Sequence, residues 1–351
     1  MPRLAPFHAT FIAIFMLLTC GVAGAVMAPG LHEGTVPVAD KSDAARADAM
    51  RAALAQVLIK LTGDRAVAKQ PPAADILRDT QRYVLEYRYQ NPEQSDGAAS
   101  PLSLWVRFDA TAVDQAVVAA GLPLWGRERP ATLVWLVVED GAEATVVNAD
   151  DTHGYVQVLQ AQALRRGLPL VLPLLDLADQ THIGADDIRR NDADRIRSAS
   201  ARYGADATLA AVVSQTTPGL WQGSFTLYFS GQNSTWVAKG GAFDAVLAEG
   251  VDDVADALAL RFAHAGSTGP VGNVQLVVDG IDNASQYADV LHFLGKLNSV
   301  TDVSVVRVEP DRVTFSLESR GGTQAISDSI ALSGMLQPEG NGVDGRYRLR
   351  P

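Results

Sequence analysis

Residues 132–138 read TLVWLVV, a run with almost no polar side chain. A strand reads this way when both of its faces are buried, so the run predicts the centre of a sheet covered on two sides. Downstream, Thr152 to Arg166 has helical spacing and Gly167 stands where that helix would end. Leu168 to Leu175 (LPLVLPLL) is apolar but contains Pro169 and Pro173. Proline cannot donate to a ladder, which places this stretch at a sheet edge. Ala193 to Tyr203 reads as a helix and Ala207 to Val213 as a second buried strand. Leu220 to Phe229 and Thr235 to Phe243 alternate apolar and polar residues, as half-buried strands do. A helix from Val246 to His264 closes the unit. The order strand, helix, strand, helix, three strands, helix predicts a mixed sheet, and an α+β fold, over residues 131–265.

Residues 26–130 form a preceding α+β unit. Ala47, Met50, Leu54, Val57, Leu58 and Leu61 share one helical face, with Ser42 able to cap it and Gly63 to end it. A shorter helix is expected over Ala74 to Gln81, strands over Tyr83 to Tyr89 and Leu102 to Phe108, and a helix opened by Asp109. Trp125, between Leu124 and Gly126 at the unit's edge, is the tryptophan expected to be exposed. On the other side, Gly266-Ser267-Thr268-Gly269-Pro270 reads as a linker. Residues 271–351 then follow the ferredoxin-like order βαββαβ, with Glu309-Pro310-Asp311 turning the middle hairpin. A last short strand, Tyr347 to Leu349, is expected at an edge.

The chain has 351 residues, 47% hydrophobic, and a formal net charge of -11. That balance repels nucleic acid, and the arginines between Arg189 and Arg202 are interrupted by Asp192 and Asp194. The N-terminus carries Arg3, an apolar core from Phe11 to Leu18 and the small-x-small motif Ala23-Gly24-Ala25. This is the layout of a signal peptide over residues 1–25, cut after Ala25. The lone cysteine, Cys20, lies inside it, so the mature chain would hold no thiol. Leu17-Leu18-Thr19-Cys20 is similar to a lipid-attachment motif, apart from the bulky Thr19. Membrane association is therefore expected only through a lipid on Cys20 or an uncleaved signal.

Motifs for chemistry are scarce. G-x-S-x-G, S-x-x-K and H-E-x-x-H do not occur, and no two histidines stand three to five residues apart. Asp252, Asp253 and Asp256 lack calcium-loop spacing and read as a solvated helix face. Gly340, Gly342 and Gly345 match a phosphate-loop pattern but have no strand before them and no helix after, so they read as a loop. No catalytic residue, metal or cofactor is expected from these patterns.

The string GTVPVADKSDAARADAMRAALAQVLIKLTGDR (34–65) resembles the start of a proteobacterial exported family catalogued as a domain of unknown function, two-zero-six-six in that series. The likeness extends through ARYGADATLAAVV (201–213), GLWQGSFTLYFSG (219–231) and AEGVDDVADALALRFA (248–263). It implies an exported protein and assigns no residue a role. The middle unit also resembles small α/β domains of envelope adaptors.

Together these readings predict an exported, non-catalytic adaptor or accessory protein of the periplasm, with another envelope protein as partner. The expected contact surface is Trp125 with the edge carrying Pro169 and Pro173. Two alternatives stay open: a hydrolase using a carboxylate pair, and a binder of small ligands.

Overall fold

The computed structural model describes residues 26–28, 30–90, 102–141, 143–267, 271–297, 299–320, 322–333, 335–340 and 345–350. The expected signal peptide, with Cys20, lies outside them. The fold is α+β, with an antiparallel sheet in the first of three successive units and mixed sheets in the other two.

In the first unit, β1 (Val26–Met27) is followed by β2 (Glu33–Pro37), α1 (Asp43–Thr62) and α2 (Pro71–Arg78). Then come β3 (Val84–Gln90), β4 (Ser103–Phe108), α3 (Ala110–Ala119) and β5 (Glu128–Arg129). Ser42 Oγ accepts the Ala45 N–H at 3.3 Å and starts α1, while Gly63 ends it at φ 72°. Met50, Leu54, Val57, Leu58 and Leu61 of α1 are buried against Val36, Leu104 and Val106 of the antiparallel sheet β2-β4-β3. The second helix starts at Pro71, earlier than its apolar pattern suggests. The first turn has no intrahelical use for backbone N–H groups, so two prolines there cost nothing.

The second unit holds β6 (Thr132–Asp140), β7 (Glu143–Val146), α4 (Tyr155–Arg166) and β8 (Leu170–Val171). Three short helices follow, α5 (Leu177–His182), α6 (Ala185–Arg189) and α7 (Ala193–Ser200). It ends with β9 (Ala207–Thr217), β10 (Leu220–Phe229), β11 (Gln232–Gly240) and α8 (Phe243–Ser267). The sheet runs β11-β10-β9-β6-β7, with β6 parallel to β9 and the two-residue β8 beside the start of β6. One face of the sheet packs on α4 and α8. The other packs Leu133, Trp135 and Val137 of β6 against Ile188 of α6 and Ile196 of α7. Burial on both faces is what residues 132–138 require.

The eight-residue apolar stretch at Leu168 contributes only Leu170 and Val171 to the sheet. Pro169 and Pro173 flank that short edge strand, and both are buried rather than exposed. Their carbonyls accept the N–H groups of Thr132 and Ala149 at 2.9 and 3.0 Å, which turns them inward. α5 and α6 have too few residues for a periodic signal. They depend on local caps: Asp176 Oδ1 accepts Asp179 N–H, and Asp187 Oδ2 accepts Gly184 N–H, each at 3.0 Å.

The third unit runs β12 (Val271–Asp279), α9 (Ala284–Lys296), β13 (Val300–Glu309), β14 (Arg312–Arg320), α10 (Gly322–Ser333), β15 (Leu336–Pro338) and β16 (Arg346–Leu349). The βαββαβ order is present through β15. The last strand does not add to an edge: the sheet is β13-β14-β12-β16-β15, and β16 lies parallel to β12. Gly345, at φ 67°, permits this insertion, since a Cβ there would stand 2.6 Å from the Gln275 carbonyl. Phe315, Leu317, Ile326, Ile330 and Tyr347 fill a core of the unit's own. α8 continues through Ser267, into the expected linker, and packs against α10 and β14.

The first two units meet at Gly63. A Cβ on it would come within 2.1 Å of Ala259 Cβ on α8. Gly121 has nearly the same φ, 69°, but no neighbour within 4 Å. Gly63→Ala should therefore cost about 2–4 kcal/mol, from left-handed strain plus overpacking, and Gly121→Ala about 1 kcal/mol from strain alone. Urea midpoints of the two variants check this, and equal losses would show that the units are not closely packed there.

Candidate functional site: a buried junction and an open cleft

Trp125 is 1% exposed, which corrects the expectation that it faces solvent. Although it belongs to the first unit in sequence, its indole packs in the core of the second, beside Gly63. Its backbone N–H donates to Leu61 O at 2.5 Å, and the Arg129 guanidinium lies 4.0 Å from its ring centroid. Arg129 is fully buried and faces backbone carbonyls rather than a carboxylate. It donates to Gly126 O (3.0 Å), Arg166 O (3.1 Å), Gly167 O (3.0 Å), Lys60 O (2.6 Å) and Trp125 O (3.2 Å). Lys60 and Arg166 stand in the last turns of α1 and α4, so one cation serves the negative ends of two helices. Burial and the nearby Arg166 charge pull the Arg129 pKa down, yet a guanidinium keeps its proton at neutral pH.

Arg166, also buried, donates to Gly63 O at 2.7 Å and pairs with Asp252 (2.9 Å) and Asp256 (2.6 Å) of α8. Arg65 pairs with Glu249 (3.0 Å), Asp253 (3.4 Å) and Asp256 (2.7 Å). The acidic group read as a solvated face is thus the α8 side of an ion-pair network. Among the described residues no group of His, Cys, Asp or Glu is placed to hold a metal ion. Asp176 and Asp179 likewise share Arg202, at 2.6 and 3.1 Å. These acids hold the fold together. Neither Arg129 nor Arg166 stands out in the sequence, because the carbonyls and carboxylates that they engage come from distant segments.

A cleft of about 630 Å³ opens between α7 and the β10–β11 hairpin. Its floor is one cross-strand row, Thr208 of β9, Tyr228 of β10 and Asn233 of β11. Ile196, Arg197 and Ser200 of α7 form one wall and Phe229 to Gln232 the end. Ser230 (φ 49°) and Gly231 (φ 74°) make the tight turn there. Ser200 Oγ donates to Ile196 O at 2.6 Å and accepts Trp135 Nε1–H at 2.9 Å, which fixes the helix on β6. Tyr228 donates to Asn191 Oδ1 at 2.7 Å, and burial raises its pKa. Asp206, at the mouth, accepts the Ala131 N–H at 2.8 Å, and burial raises its pKa too. Beyond Asn191 a second cavity of about 230 Å³ continues along the same sheet face, over Ser214, Gln222, Ser224, Thr226 and Thr235. The sequence patterns assign none of these residues to a ligand site. The signal available was the alternation in 220–229, which keeps one face of β10 polar.

The sequence family that matches is a domain of unknown function, DUF8605, over residues 25–126. This corrects the resemblance drawn from residues 34–65, which pointed to a different family of unknown function. One similar solved structure, described as the crystal structure of an uncharacterized protein, shares 14% identity over 38% of this chain and 98% of its own, with a TM-score of 0.16. No curated protein matches.

Lys60, buried beside this junction, donates to Gly30 O (2.9 Å) and Glu33 O (2.8 Å). Burial pulls its pKa from 10.5 down to about 8, with Glu33 opposing and Arg129 reinforcing the fall. Between about pH 8 and 10.5 the unfolded chain then holds more protons than the folded one at this site. Stability from this group rises with pH across that window and is lost as pH falls through 8. Urea unfolding at pH 7.5 to 10 should show the wild type gaining roughly 1–3 kcal/mol relative to Lys60→Met. Parallel pH profiles for the two proteins would remove Lys60 as the titrating group.

Proposed function

We propose that this chain is an exported, non-catalytic accessory protein of the cell envelope that holds another envelope protein through an open sheet edge. The supporting observation is β13, the outer strand of the third unit's sheet. Val306 and Val308 on it are 54% and 66% exposed, and Val305 is exposed beside them. Register shifts at Val300/Asp302 and Val305/Arg307 interrupt the strand. Such bulges break up the row of free N–H and C=O groups, so the valine side chains carry the recognition. The three-stranded and six-stranded sheets also end in strands with exposed apolar side chains, Leu85 and Tyr87 on β3 and Val237 on β11. An exposed apolar row on an edge strand is a recurrent docking surface.

Export is part of the same reading. The expected cut after Ala25 falls immediately before β1. Cleavage there would leave the paired segment Val26–Met27 intact on β5.

The small-ligand reading keeps a place because the cleft beside α7 has the volume of a ligand site. The hydrolase reading is weaker, since the closest acidic groupings are engaged by Arg65, Arg166 and Arg202.

In-cell photocrosslinking tests the adaptor reading. A photoreactive residue at Val308 should yield one discrete heavier product, which Val306→Lys abolishes, while the same probe at exposed Val118 of α3 yields none. Identical products from both positions would defeat the proposal. N-terminal sequencing tests export separately: a mature chain starting at Val26 supports it, and an intact Met1 overturns it.

A further inference from the structure

The sheet of the second unit is covered unequally. On one face α8, a 25-residue helix, reaches β9, β10 and β11. On the opposite face α6 and α7 reach β6 and β9. The part of that face formed by β10 and β11 carries Gln222, Ser224, Thr226 and Tyr228 beside Asn233 and Thr235. The two cavities lie on it, meeting where Tyr228 touches Asn191.

The lining chemistry narrows the ligand. The arginines that border the trough already have acidic partners: Arg197 pairs with Asp194 at 2.8 Å, and Arg189 with Glu139 at 2.7 Å and with Asp186. A phosphate would have to compete with those carboxylates. The floor is hydroxyl and amide, while Ala193, Ile196, Ala201 and Phe229 add apolar wall to the larger cavity, so a ligand there must offer both hydrogen-bonding and apolar surface. The polar lining is a set of neutral groups that both donate and accept: the Thr208 and Ser224 hydroxyls, the Thr226 and Thr235 hydroxyls, which bond each other at 3.0 Å, and the Asn233, Gln232 and Gln222 amides. Tyr228 adds a half-buried ring. Sugars match this combination, since they present hydroxyls in every direction and apolar C–H faces that lie on aromatic rings.

We propose that the trough between α7 and the β10–β11 hairpin is a binding site for a neutral oligosaccharide. Asn233, Thr208 and Gln232 hydrogen-bond the hydroxyls in the larger cavity, and Tyr228 supports a ring face at the junction with the smaller one. This deepens the small-ligand reading and does not depend on the β13 edge, which belongs to another unit.

The mature chain, residues 26–351, should be applied to an array of neutral glycans, with triacetylchitotriose and maltotriose then titrated calorimetrically. Binding is expected to at least one neutral glycan class. Asn233→Ala should weaken it at least about tenfold, the loss of one well-made hydrogen bond. Ala201→Trp, at an exposed position on the cleft wall, should abolish it by filling the space without touching a core. Val308→Lys should leave it unchanged, which separates failure here from failure of the edge-strand reading. Thermal melts identify any variant that is misfolded, and Gln232→Ala then replaces it. Absence of binding to every neutral glycan, or binding that survives both Asn233→Ala and Ala201→Trp, overturns the proposal.

Discussion

The arrangement of the first two units depends on one buried cation. Arg129 takes carbonyls from the end of α1, from the Trp125–Gly126 turn and from the end of α4. Helix C-termini leave carbonyls without intrahelical partners and carry partial negative charge. Two such ends buried side by side would repel each other and lose hydrogen bonds to water. A planar group with five donors resolves both problems, whereas a lysine with three donors could not reach all five carbonyls. Gly63 and Gly167 make the approach possible. A Cβ on Gly63 would strike Ala259, and one on Gly167 would strike Leu31 and the guanidinium itself.

From that point outward the pairing becomes ionic. Arg166 carries the α1 end across to Asp252 and Asp256 on α8, and Arg65 covers the same acidic turn from outside. α8 in turn packs against α10 and β14 of the third unit. The long helix therefore touches all three units, and its acidic turn is a structural element rather than a site of chemistry.

What the sequence made legible follows the range of the interactions. β6 was readable from 132–138 because burial on both faces leaves its mark residue by residue. α1 was readable because Ser42, the apolar spacing and Gly63 all act within one helix. Trp125 was misplaced because its neighbours, Pro123 and Gly126, suggest a surface loop, while the groups that bury it, Gly63, Arg129 and α8, come from elsewhere. Asp252, Asp253 and Asp256 share one helical face, but whether that face meets water or arginine depends on residues more than eighty positions away. The insertion of β16 between β12 and β15 was hidden for the same reason: a parallel pairing with a distant strand has no local signature. The cleft was the least visible feature, since each of its hydroxyls, taken alone, is an ordinary strand residue.

The cleft is nevertheless a consequence of the same burial pattern. A strand whose residues are all apolar must be covered on both sides, and β6 is. A strand that alternates needs only one cover, and β10 alternates. The short helices α6 and α7 thus suffice for β6 and β9, and nothing in the energetics of β10 calls for a further helix over Ser224, Thr226 and Tyr228. The step from a covered to an uncovered part of one sheet face creates the trough, and the side chains that tolerate water there are the same ones that can bind a hydroxylated ligand. The trough lies on the second unit and the exposed valines of β13 on the third, so the two surfaces share no residue.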